Sequence, residues 1–128
     1  MKDFGLAFGL VYLATPYGKY PYGIEAAFRD AAVLAARLLR AGMLVYSPIA
    51  HTHPIAIYGD IPPTDNSIWL PFDETMMRLA KTLVVAKMVS WEFSSGIAHE
   101  IKFFTEQAKP IYFLEPETLE LSKEPQWS

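Results

Sequence analysis

Chemistry in this sequence is concentrated in the stretch Ser94-Ser95-Gly96-Ile97-Ala98-His99-Glu100. Serine and glycine at the start of a helix leave backbone N–H groups free to meet an anion. Glu100 lies too deep to close a capping box, because the acid of that motif falls three residues after the N-cap. Three residues after Ser94 is Ile97, and three after Ser95 is Ala98. At about 100° per residue, Glu100 falls between Phe103 and Phe104, at the edge of the apolar face. One reading is a boundary glutamate on an amphipathic helix. The other is a partly desolvated carboxylate with its pKa pushed upward, suited to nucleophilic or acid–base work.

Three further groups invite a chemical reading. Asp73, after Trp69-Leu70-Pro71-Phe72, is either a helix-start acid favoured by the dipole or a carboxylate directed into a pocket. His51 and His53 have the His-x-His spacing that puts two ligands on one face of a strand. Here the pair sits between Pro48 and Pro54 with no obvious third or fourth ligand. The expectation is therefore two polar loop histidines touching substrate, with no metal and no cofactor. Tyr17, Tyr20 and Tyr22 share a loop with Gly18, Pro21 and Gly23. They are either ordinary loop packing or a stacking wall for a flat ligand.

The elements that must position these groups follow from apolar patterning. Residues 8–14 form a continuous apolar run ended by Thr15-Pro16, the pattern of a strand buried on both faces. Residues 24–41 predict an amphipathic helix closed by Gly42, and 43–46 a short second strand. Residues 54–68 read as a long connection, a length that is usually functional or mobile. A helix through Met76, Met77 and Ala80 leads to a strand at 82–86. The loop 87–93, a helix at 95–108 that Ser95 would cap, and a strand at 111–114 follow. The polar tail suggests a helical turn at 118–121.

This order predicts an α/β fold: a Rossmann-like, flavodoxin-like open sheet, mainly parallel, of four to five strands with helices on both faces. The loops 15–23, 47–54 and 87–95 all follow strand ends. They should converge where such sheets bind ligands, outside the carboxyl ends of the strands at the switch in strand order.

Composition sets the outer bounds. The chain has 128 residues, and residues 1–128 read as one domain. With 52% apolar and 20% charged residues it can build a sizeable core. The formal net charge is -3 without a lysine or arginine run, which argues against binding a nucleic-acid polymer. There are no cysteines, so neither disulfides nor thiolate chemistry arise. The apolar segment at residues 6–14 is too short to span a membrane. With Asp3 directly after Lys2 it makes a poor signal peptide. The expectation is a cytoplasmic protein without membrane contact.

Taken together, Tyr12-Leu13-Ala14-Thr15-Pro16-Tyr17, the segment from Gly42 to Ser47-Pro48, Asp73 and Ser94-Ser95-Gly96-x-x-x-Glu100 resemble the nucleoside 2-deoxyribosyltransferase superfamily. The likeness is greatest to a small uncharacterised, DUF1937-like branch, and it covers roughly residues 8–114. The resemblance implies a nucleoside or nucleotide substrate and a covalent mechanism. Glu100 would attack the anomeric carbon, Tyr12 would hydrogen-bond and orient it, and Asp73 would contact or protonate the departing base. Ala14, Pro16, Tyr17, His51, His53, Ser94, Ser95 and Gly96 would bind substrate. The resemblance also implies a homo-oligomer, with the tail around Trp127 as one source of contact.

Two departures from the pattern bear on the substrate. Transferases acting on free nucleosides often carry an aspartate where Ser94 stands, whereas branches that hydrolyse nucleoside 5′-monophosphates are more like this chain. A serine at a helix start suits a phosphate that an aspartate would repel. The long 51–66 connection is also atypical. Two rival readings stand beside the enzyme: a non-catalytic nucleotide-binding module on the same fold, and a metal-dependent hydrolase using His51, His53 and Asp73.

Overall fold

The computed structural model describes residue 4 and residues 7–124. Trp127 lies outside the described residues. Five strands, β1 (Val11–Ala14), β2 (Val45–Tyr46), β3 (Thr82–Ala86), β4 (Ile111–Glu115) and β5 (Glu120–Ser122), form one sheet in the order β2-β1-β3-β4-β5. All pairings are parallel except β4 with β5. Among the described residues, four α-helices, α1 (Ile24–Arg40), α2 (Pro48–Gly59), α3 (Asn66–Leu79) and α4 (Ser95–Glu106), and a short 3-10 helix at Trp91–Phe93 complete the fold. The open, mostly parallel α/β architecture expected from the sequence is the one observed.

The alternation of side chains along the central strands makes two cores. Val11, Leu13, Val84 and Ala86 face α1, where Ala27, Leu34 and Leu38 cover them. Tyr12, Ala14, Leu83 and Val85 face the other way and pack with Met77 of α3 and with Ile97 and Phe104 of α4. Both β1 and β3 are fully buried, which explains why they read as unbroken apolar runs rather than alternating ones. The first strand is shorter than the expected 8–14, because Gly9 adopts a left-handed φ of 63° just before it.

Helix α1 ends as its glycine foretold. The Gly42 N–H donates to the Leu39 carbonyl and the Met43 N–H to the Leu38 carbonyl, with Gly42 at φ 91°. This is the pairing of a Schellman motif.

The long connection expected at 54–68 is mostly helix. Ser47 caps α2, its hydroxyl accepting the Ala50 N–H at 3.3 Å, and Pro48 occupies the first turn. Asp65 caps α3 by accepting from the Ser67 N–H at 3.1 Å. Only residues 60–65 remain as linker, tied down by Trp69, whose Nε1 donates to the Pro62 carbonyl at 3.0 Å. Pro54, read as flanking a loop, lies inside α2, and Pro71 lies inside α3. Each removes a helical donor but is tolerated among the neighbouring turns. Helix α2 also lacks any charged residue, so it shows no polar stripe by which to recognise a helix.

Asp73 is accordingly a mid-helix residue of α3 and not a helix-start acid. The tail forms β5 instead of the expected helical turn. Leu119, at φ 63°, turns the chain so that β5 pairs with β4, Leu114 opposite Leu121. The pairing covers backbone groups that β4 would otherwise leave open on that side.

Lys109, just past α4, closes the far end of α3. Its Nζ donates to the carbonyls of Met77 at 3.0 Å, Arg78 at 2.7 Å and Ala80 at 2.7 Å, groups that a helix end leaves without intrahelical partners. Among the described residues, no helix is long and apolar enough to cross a membrane.

Candidate functional site

The strand order reverses between β1 and β3, so the crevice opens beyond their carboxyl ends. Three segments reach it: the loop after β1, the start of α2 after β2, and the start of α4 after β3. Two cavities meet there. One, of about 280 Å³, is walled by Thr15 and Tyr17, by Pro48 and Thr52 of α2, and by Ser94 and Ser95. The other, of about 290 Å³, is walled by Tyr12, Leu70, Met77 and His99. Asn66, Asp73, Ser95, Gly96 and Glu100 border both. The two carboxylates thus stand at the junction.

Glu100 is half-buried as a residue, because one side opens on the cavities. Protein nevertheless surrounds its carboxyl closely enough that desolvation pushes its pKa up to about 8. The Tyr12 hydroxyl opposes that rise and Asp73 adds to it. Burial raises Asp73 as well, to about 6, with His99 drawing it back. Two interacting carboxyls titrate as a pair, and near neutral pH this pair holds about one proton between them.

Tyr12 is completely buried. Its phenol is driven far above its ordinary range by burial first and by Glu100 next. Although Glu100 is near enough to act on it, the Tyr12 hydroxyl has no hydrogen-bond partner of standard geometry. The two groups lie close enough for a hydroxyl–carboxyl interaction to shift both, but short of standard hydrogen-bond geometry.

That orphaned hydroxyl has company. Thr15 Oγ1, Tyr46 Oη, His51 Nδ1, Asp73 Oδ1 and His99 Nε2 are also buried without hydrogen-bond partners. His99 Nε2 lies 3.2 Å from Glu74 Oε2, an ion-pair distance whose angles do not make a hydrogen bond. Buried polar atoms are nearly always bonded. Of these exceptions, Tyr12, Thr15, Asp73 and His99 line the cavities, whereas Tyr46 and His51, like the unpartnered Ser90 hydroxyl, do not.

Helix α4 begins at Ser95 as expected and ends at Glu106, two residues short of the expected 108. Ser94, not Ser95, is its N-cap, with the Ser94 hydroxyl accepting the Ile97 N–H at 3.2 Å. Ser95 and Gly96 are exposed on the wall of both cavities. A Cβ on Gly96 would meet nothing closer than Ser94 Oγ at 3.8 Å, so packing within the protein does not require glycine there.

The remaining expected site residues divide. Tyr17 borders the first cavity. Tyr20 is buried and donates to Asp30 Oδ2 at 2.7 Å, while Tyr22 is exposed and rests its edge on Tyr20. The three tyrosines therefore do not form one wall. Ala14 and Pro16 are buried and line neither cavity; they set the path by which the chain leaves β1.

His51 and His53 lie on helix α2, not in a loop, and their side chains part. Residues two apart on a helix point roughly 200° away from each other, unlike those on a strand. His51 stacks on Phe72 with centroids 4.9 Å apart. His53 is held by Tyr17 and Glu25 on the side of α1. Among the described residues, no group of three or more His, Cys, Asp or Glu side chains is placed to hold a metal ion.

Sequence reasoning passed over Thr15, Thr52, Asn66, Trp69 and His99. Thr15 and His99 adjoin residues already singled out. Thr52, Asn66 and Trp69 reach the crevice only because the supposed loop is helical.

Fold and crevice together define an open α/β protein with a two-carboxylate site at its topological switch point. By family, the chain belongs to the one described as Domain of unknown function (DUF1937), which matches residues 9–116. No curated protein matches it.

Proposed function

We propose that this protein cleaves or transfers the N-glycosidic bond of a nucleoside or nucleoside 5′-monophosphate, using Glu100 as a covalent nucleophile. The observation that carries the reading is the buried Glu100 carboxyl at the junction of two cavities, beside Asp73 and Tyr12. The likeness of Tyr12-Leu13-Ala14-Thr15-Pro16-Tyr17, Asp73 and Gly96-x-x-x-Glu100 to the nucleoside 2-deoxyribosyltransferase superfamily supports it.

The chemistry has a simple proton count. Ionised Glu100 attacks the anomeric carbon as the bond to the base nitrogen breaks, giving a glycosyl ester. Asp73 delivers its proton to the departing base. Water or a second base then attacks the same carbon, the Asp73 carboxylate taking up the proton it loses, and releases the Glu100 carboxylate. The first step needs one proton on the pair, placed on Asp73. Glu100 holds its proton to about 8 and Asp73 to about 6, so that proton rests on Glu100 in the free protein. It must pass to Asp73, leaving a bare nucleophile and a protonated acid. Close approach of Tyr12 lets its hydroxyl bond the carboxylate once it is ionised, favouring that form.

The two cavities suit the two halves of such a substrate. Ser95, Gly96 and the first N–H groups of α4 favour an anion such as a 5′-phosphate, and Ser94 introduces no opposing charge. We place the enzyme in the cytoplasm and as a homo-oligomer. Helix α2 carries no charge and leaves Ile55, Ile57 and Tyr58 exposed, and α3 leaves Ile68 and Phe72 exposed, apolar surface that a second copy would cover.

The test is release of base from a panel of nucleosides and their monophosphates, read by chromatography, with mass spectrometry of the quenched protein. Base release and a glycosyl adduct at Glu100 are expected. Binding without release by any member would favour a non-catalytic nucleotide-binding module, and neither binding nor release would sink both readings.

A further inference from the structure

His53 is 2% exposed, and both of its ring nitrogens are engaged. Nε2 lies 2.8 Å from Glu25 Oε2, and Nδ1 lies 2.7 Å from the Tyr17 hydroxyl. The ring is stacked on Phe28 with centroids 4.6 Å apart and planes 21° from parallel. The contacts join three segments: the loop after β1, the first turn of α1 and the middle of α2.

For a neutral His53 the chemistry of the partners fixes where the hydrogens lie. An ionised carboxylate only accepts hydrogen bonds, so Nε2 must carry the proton facing Glu25. In a neutral imidazole the other nitrogen is then an acceptor. The Tyr17 hydroxyl therefore donates to Nδ1. A phenol has one hydrogen, and here it is spent inside the protein. Toward any other partner the Tyr17 oxygen can only accept, and Tyr17 borders the first cavity.

We propose that Glu25 and His53 are positioning residues that fix the Tyr17 hydroxyl as an acceptor, so that the ligand group seated against it is a hydrogen-bond donor, an amino or hydroxyl hydrogen. A carbonyl or phosphate oxygen at that point would face lone pairs and be rejected. Ser95 and Gly96 at the start of α4 line the same cavity, so it offers N–H groups that favour acceptor oxygens as well as an oxygen that takes a donor. This inference concerns ligand selection and rests on the reading above only for its choice of probes.

Two measurements test it. In the free protein, ¹⁵N spectra of the histidine rings at neutral pH should show His53 protonated at Nε2 and bare at Nδ1. Glu25→Gln, at a side chain 76% exposed, should blur that single tautomer, because an amide can donate as well as accept. The second measurement is calorimetric, on matched nucleosides differing by one donor: amino against oxo on the base, and hydroxyl against hydrogen on the sugar. Wild type should prefer the donor-bearing member of one pair by roughly three- to tenfold. The responding pair identifies base or sugar as the source. Tyr17→Phe should remove that preference and leave the other pair unchanged.

A proton on Nδ1 in the neutral protein, or a preference that survives Tyr17→Phe, overturns the proposal. If no nucleoside binds, the function proposed above fails. The tautomer then decides the present inference by itself, because the relay belongs to the free protein.

Discussion

The Tyr12 hydroxyl and the Glu100 carboxyl meet inside the core between β1 and α4, close enough to perturb each other yet without a hydrogen bond of standard geometry. A buried hydroxyl in that state costs stability, commonly about 1–3 kcal/mol. Its retention makes sense if the bond forms when Glu100 ionises during reaction. Tyr12→Phe should therefore act in opposite directions on rate and fold. The rate should fall roughly 10- to 100-fold with little change in substrate binding, while the melting temperature rises. Single-turnover kinetics and thermal melts check this; a variant that is neither slower nor more stable removes Tyr12 from the mechanism.

Glu100→Gln should abolish turnover and show in the pH dependence of stability. Burial holds the Glu100 pKa near 8, whereas the unfolded chain ionises it in the ordinary carboxylate range. The group favours the fold below that ordinary value, and the contribution is lost as pH rises toward 8. At about 1.4 kcal/mol per pH unit between the two values, the loss is on the order of 3–5 kcal/mol. Wild type should thus melt lower at pH 8.5 than at pH 5.5, and Glu100→Gln should flatten the difference. Equal slopes for the two proteins would contradict a buried, proton-holding carboxyl.

The rate itself should be bell-shaped in pH. The active form holds one proton on the Asp73–Glu100 pair. Below about 6 both carboxyls are protonated and the nucleophile is absent; above about 8 both are ionised and the acid is absent. The values belong to the pair and not to either residue alone. Asp73→Asn should remove the alkaline limb and slow substrates with poor leaving bases most. A profile flat from pH 5 to 9 would exclude this use of the pair.

Ser94 offers a clean separation of structure from binding. Ser94→Ala loses the bond to Ile97 N–H and should cost about 1 kcal/mol of stability. Ser94→Asp restores an equally good cap, so stability should return. The new charge faces the start of α4, however. Monophosphates should bind at least tenfold worse than to wild type, while nucleosides bind unchanged. Equal losses for both ligand types would show that no phosphate sits there.

The parts that sequence patterning reached are those governed by burial or by one local rule. Strand β3 was expected at 82–86 and lies there, because a strand covered on both faces is apolar throughout. Gly42 closes α1 because only that backbone conformation completes its end. Helix α2 escaped notice for a physical reason: proline at its centre, no charge and apolar residues on every side leave neither a periodicity nor a polar stripe. The same cause hid the parting of His51 and His53, since the face each one shares depends on whether the backbone is helical. Glu100 was legible from its depth in α4. Its neighbours Asn66, Trp69 and Thr52 were not, because they meet it only through the packing of α2 and α3.

Lys109 gives the crevice a mechanical character. Asp73 and Glu100 ride on α3 and α4, and both helices start at the crevice and run away from it. At their far ends one ammonium grips three carbonyls of the α3 terminus from the end of α4. The pair is built like tweezers, riveted at the back and open at the tips. Fixing those ends limits how far the two helices part, and so how far apart the two carboxyls stand.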